Sequence, residues 1–299
     1  MNSKIIVLLH KHQNKILNIG ILLFIIGILL YFGIVFNQTF FKLGGQLSQE
    51  LASDLGSALS GLSGVLISGS SITFLILTFV GQIRASRIEQ TETIFMKMVE
   101  FHRENVLNLK LMNDETNKIV EGQRVIEYLV KHYTVIYNII KPIANVSPKL
   151  AVELTNLALF FSVNKLDSKI DTQKYEEVNF ATIKARVRGE VHLAHFHRSI
   201  KEPNEQYLGH YFRNLYKAVK YIEDDKTLDS NEKKEFVNLL VAQLSSYEQT
   251  LLFLNSLSSL GENWNKELYL SKYNIVDHAN LDIIESCTYL KSEYLKITQ

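Results

Sequence analysis

Four histidines fall close together: His192, His195, His197 and His210. His192 and His195 are three apart, so on a helix they share a face. Such a pair is half of a zinc site, with Glu190 or His210 as a candidate third ligand. The same spacing suits helix residues hydrogen-bonded within a domain. A pair without a fixed third donor sets no metal centre, so neither metal nor cofactor is expected. Two arginines lie just upstream. Five residues separate Arg186 from His192, and six separate Arg188 from His195. A guanidinium and an imidazole on one helix can cleave RNA, the cation steadying the phosphorane and the imidazole moving the proton. Arg186, Arg188, His192 and His195 are therefore the catalytic candidates. There is no glycine-rich phosphate loop, GxSxG or HExxH.

Two further runs carry polar and aromatic residues at helical spacing. One is Gly209–His210–Tyr211–Phe212–Arg213–Asn214–Leu215–Tyr216, and the other is Ala242–Gln243–Leu244–Ser245–Ser246–Tyr247–Glu248. On a helix His210, Arg213 and Lys217 share one side, opposite Phe212, Leu215, Tyr216 and Val219. An Arg213–Glu248 pair would bridge the two helices as a polar latch.

The elements that hold these residues begin with an apolar run. Ile16 to Phe36 has one polar residue, Asn18, and no charge over 21 positions. That is about 30 Å of helix, the thickness of a bilayer core. Leu55 to Val80 also lacks charge. Ser60, Gly61, Gly64 and Ser68 supply it with small residues of the kind that let helices approach closely in lipid. They suit packing on the first span or association with another copy of the chain. Lys4, Lys11 and Lys15 precede the first span, and Arg84 and Arg87 follow the second. Positive charge on those flanks places both termini in the cytoplasm.

The remaining chain predicts helices. Ile88, Phe95, His102 and Leu109 recur every seven residues, as a coiled-coil stalk or an amphipathic helix packed on the domain would require. Asn113–Asp114 offers an N-cap for a helix reaching about Ile140, with Ile126, Leu129, Val130, Tyr133 and Tyr137 on one face and Pro142 ending it. Ser147–Pro148 starts another helix. One helix is expected from Asp171 to Ile200, and another from Asn204 to Ile222. Asp229 with Glu232 forms a capping box for a helix from about Ser230 to Leu260. A last helix is expected from about Asn280 to Ile297. The fold expected is all-α: a membrane module (1–82), a helical stalk (83–112) and a cytoplasmic helical bundle (113–299). The formal charge of +1 gives no basic surplus for nucleic-acid binding. The single cysteine, Cys287, allows no intrachain disulfide.

GHYFRNLYKAVKYI followed by AQLSSYEQTLLFLNSLS resembles the phage abortive infection family, the AbiC-like proteins. The likeness covers about Ile183 to Tyr273, with Val241 standing where a basic residue is expected. It implies antiviral defence by a membrane-bound effector or sensor whose activation stops the infected cell before phage are released. The membrane module, joined by one helix to a domain without a catalytic signature, makes perturbation of the bacterial inner membrane by a multi-pass protein the expected mechanism. The expected partners are the lipid bilayer, a second copy of the chain, and a phage protein trigger or a co-encoded defence partner. His210, Tyr211, Arg213, Tyr216, Gln243, Ser245 and Glu248 carry the motif and are the candidate partner-binding residues. The Arg–His pattern also resembles that of the HEPN ribonucleases, which keeps a membrane-tethered ribonuclease as an alternative. A scaffold that recruits a separate toxin is the third reading. A reporter fused after Gln299 is expected to be active only on the cytoplasmic side. An extracytoplasmic signal would refute the topology.

Overall fold

The computed structural model describes residues 12–41, 49–113, 118–143, 146–170, 178–193 and 204–299. About 80% of the chain is helical and the fold is all-α. It divides into two compact units, Met1–Thr91 and Glu92–Gln299.

The first unit contains α1 (Gln13–Phe41) and most of α2 (Gln49–Leu107). Both helices are long and apolar enough to cross a membrane, and only 11% of each apolar window is buried. Leu22, Leu29, Val65, Leu75 and Phe79 all face outward. The helices touch along a narrow seam of small residues. Gly20 and Gly27 of α1, one heptad apart, are buried, as are Ser63 and Ser70 of α2. The Ser70 hydroxyl donates to the Gly20 carbonyl at 2.9 Å. Such a bond satisfies a polar group where no water competes. A Cβ on Gly27 would sit 2.9 Å from Ile67 Cγ1, so any side chain there must displace Ile67. On α2 the seam is made by Ser63, Ile67, Ser70 and Thr73, whereas Ser60, Gly61, Gly64 and Ser68 are exposed on this chain.

In the second unit the end of α2 turns its apolar row inward. Phe95, Val99, His102, Val106 and Leu109 are all buried, and Phe95 meets Phe236 edge-on at 5.6 Å. The expected helix from Asn113 does not start there. Strands β1 (Lys110–Asn113) and β2 (Lys118–Glu121) pair antiparallel, with Leu111 opposite Val120. Gly122 then turns the chain at φ 64°, a left-handed conformation that glycine adopts without strain. Its N–H donates to the Leu109 carbonyl at 2.9 Å.

Helix α3 (Gln123–Ile140) follows, and Ile126, Leu129, Val130, Tyr133 and Tyr137 are buried along it. It packs on α4 (Pro148–Phe161), on α5 (Phe180–Leu193) and on α8 (Ser246–Ser256). The Ser147 hydroxyl caps α4 by accepting from the Leu150 N–H at 3.2 Å. Asn156 on α4 donates to the carbonyls of Val152 and Leu254, both at 3.0 Å, fastening α4 to α8. The single thiol, Cys287, is buried 2.9 Å from the Tyr137 hydroxyl.

Helices α6 (Glu205–Asp224) and α7 (Ser230–Val241) pack together. Asp229 and Glu232 make the full capping box of α7. The helix expected to run on to Leu260 stops at Val241 and restarts as α8, for a reason given below. Beyond Ser256, Gly261 lies so close to Asn255 that a Cβ would fall 2.5 Å from its carbonyl oxygen. The expected last helix is two pieces, Leu281–Glu285 and α9 (Thr288–Thr298); the Asn280 carboxamide caps the first by accepting from the Ile283 N–H.

The α1–α2 seam yields a direct test. Gly27→Leu should overpack it and cost about 1–3 kcal/mol. Gly33→Leu, where no atom lies within 4 Å, should be silent. Thermal unfolding of the two variants in detergent would separate them, and equal midpoints would refute the seam.

Candidate functional site

The break between α7 and α8 builds the site. Ser245 is the N-cap of α8 and Glu248 its N3 residue. The Glu248 carboxylate accepts from the Ser245 N–H at 2.9 Å and from the Ser245 hydroxyl at 2.7 Å. The Glu248 N–H donates back to the Ser245 hydroxyl oxygen at 3.3 Å. These reciprocal bonds satisfy the free N–H groups that a new helix exposes. They hold the chain extended at Ser245, which is why no single helix spans Ser230 to Leu260.

Unlike an ordinary capping glutamate, Glu248 is only 2% exposed. Its Oε1 lies 3.4 Å from Nε2 of His102, itself 3% exposed. This is ion-pair reach without hydrogen-bond geometry: neither His102 nitrogen has a hydrogen-bond partner among the described residues. The Tyr211 ring packs against the imidazole at 4.9 Å between centroids, and the Tyr211 hydroxyl is likewise buried and unpartnered. Three elements thus converge: α2 brings His102, α6 brings Tyr211 and α8 brings Glu248. Burial works to raise the Glu248 pKa. The His102 imidazole and the Ser245 N–H and hydroxyl outweigh it and hold the carboxyl below the ordinary glutamate value. Burial, reinforced by the nearby carboxylate, pushes the Tyr211 phenol well up.

A carboxylate beside an imidazole is the orienting half of a general-base dyad. Here both members are sealed from solvent, at a contact between two helices. Glu248 meets His102 and not Arg213, which is exposed on α6. The expected Arg213–Glu248 bridge is thus replaced by an imidazole from a helix far upstream.

The motif residues divide into two sets. Tyr211 and Glu248 are buried; Ser245 is half-buried, and so is Tyr216, whose ring meets Trp264 edge-on at 5.4 Å. His210, Arg213 and Gln243 are exposed. His102 lies outside both motif runs, and its place in an otherwise apolar heptad row is the one sequence signal that marks it. Among the catalytic candidates, Arg186 and Arg188 are exposed on α5, and the Arg188 guanidinium donates to the Asn164 carboxamide. His195 and His197 lie outside the described residues, as does the side chain of His192. Among the described residues, no group of three or more His, Cys, Asp or Glu is placed to hold a metal ion.

Residues 203–283 match the family described as "Putative phage abortive infection protein". The matched stretch contains Tyr211, Ser245 and Glu248, so two of the three arms of the buried cluster come from it, and it associates this part of the chain with phage abortive infection. No curated protein matches the chain, and no solved structure does.

Two measurements follow for the cluster. Ser245→Ala removes the α8 cap and two of the bonds to Glu248, and should cost about 1–2 kcal/mol in equilibrium unfolding. Because the Glu248 pKa is lowered by folding, its contribution is present above the unfolded-state value and lost as pH falls through the folded one. The unfolding midpoint should therefore drop on acidification below about pH 4.5, and Glu248→Gln should flatten that fall. An equally steep fall in the variant would remove Glu248 from the account.

Proposed function

We propose that this chain is a membrane-anchored antiphage effector that arrests the infected cell by perturbing the membrane once activated. The family match over residues 203–283 carries the defence role. The membrane arm is supported by two apolar helices whose side chains face outward. A soluble protein would bury such surface, whereas lipid solvates it. In this reading α1 and α2 span the bacterial inner membrane, with both termini in the cytoplasm. The second unit senses a phage component or a co-encoded partner through the outward-facing His210, Arg213 and Gln243.

The output works through association of copies. Ser60, Gly61, Gly64 and Ser68 are exposed on the single chain, with open space where a Cβ on either glycine would point. Small residues on a free face let a second helix approach closely in lipid. Activation shifts the copies between two association states. Moving such an equilibrium from one per cent to ninety-nine takes about 5.5 kcal/mol of differential binding, within reach of one protein ligand.

Membrane potential, followed in expressing cells with and without phage, tests this. Depolarisation should coincide with growth arrest, and Gly64→Leu should abolish both while leaving membrane insertion intact. Growth arrest at constant potential would overturn the membrane mechanism.

A further inference from the structure

We infer that the end of α2, residues 95–107, is held on the second unit by a weak seam centred on His102 and opens there as a unit. The other positions of the buried row are apolar and well matched. Phe95 packs edge-on against Phe236, and Val99, Val106 and Leu109 are closed from solvent. At His102 the row meets polar groups that do not satisfy one another. Both imidazole nitrogens and the Tyr211 hydroxyl are buried without a hydrogen-bond partner among the described residues. Glu248 is the exception, since Ser245 holds its carboxylate from within α8 whether or not α2 is present.

Closing the seam therefore strips water from three polar atoms and returns one long contact of 3.4 Å. Opening it gives those atoms back to water, while Glu248 keeps its Ser245 bonds. A buried polar group left unmade opposes burial far more than an apolar group of the same shape. The helix end is thus biased toward release, in contrast to α3, whose buried face sets His132 among nine aliphatic and aromatic residues. Segments that open before the rest of a fold are those a ligand can capture. The seam joins α2 to Tyr211 and Glu248 of the family-matched stretch, so an effector of that stretch can shift the equilibrium. The inference concerns the second unit alone and does not depend on the membrane reading.

Amide hydrogen exchange on the full chain in detergent micelles tests it. Amides of residues 95–107 should exchange faster than those of Ile126–Ile140, although both segments have a buried face. Tyr211→Phe removes only the unpartnered hydroxyl and should slow exchange of 95–107 about tenfold, equivalent to about 1.4 kcal/mol, leaving Ile126–Ile140 unchanged. His102→Leu should act in the same direction. Equal protection of the two segments in the unmodified chain would overturn the inference. So would a Tyr211→Phe chain that exchanges at the same rate or faster, or that fails to fold.

Discussion

A carboxylate closed away from water must be met by donors, and at Glu248 that requirement shapes the second unit. Ser245 meets it from one side, which forces the chain out of helix and divides α7 from α8. His102 approaches it from the other at 3.4 Å without hydrogen-bond geometry, where the end of α2 lies against the family-matched helices. The same carboxylate thus ends one helix, starts the next and marks where a third docks. Its two neighbours are unequal. The Ser245 bonds are short and local, whereas the His102 contact is long and joins residues distant in sequence. Strength is concentrated within α8, and the link between elements is left weak.

The first unit obeys a different solvent logic. Its helices meet where glycines of α1 admit Ser63, Ile67, Ser70 and Thr73 of α2, and they expose most of their leucine, isoleucine and phenylalanine. In water this would be inverted, with the large apolar side chains in the seam. In lipid no hydrophobic gain comes from joining two helices, so close backbone approach and the Ser70–Gly20 bond must hold them. One chain therefore carries two packing regimes, and α2 takes part in both.

Much of this was legible in the residues. The apolar runs, the Ser147–Pro148 start, the Asp229 capping box and the buried face of α3 rest on local spacing, and local spacing is what a sequence displays. The paired strands Lys110–Asn113 and Lys118–Glu121 are hidden because they are four residues each, too short for alternation to show, and because a lone Gly122 carries no turn signature of its own. The Ser245–Glu248 box has the same spacing as the Asp229–Glu232 box, but it sits inside an apolar run that continues in phase, and periodicity masked the stop. The cluster itself was unreadable for another reason. His102 was visible as the odd member of an apolar row, yet its partners Tyr211 and Glu248 lie far along the chain, and no single-sequence pattern reports a pairing across that distance.

The shielding of Cys287 has a practical corollary. Its sulfur is enclosed beside the Tyr137 hydroxyl, and no other cysteine occurs in the chain. Maleimide chemistry on the folded molecule should find almost no background, since a thiol needs solvent access and a thiolate to react. A cysteine placed singly at any surface position then becomes a unique attachment point for a fluorophore or spin label. Distances within and between copies can be measured without first rebuilding the interior.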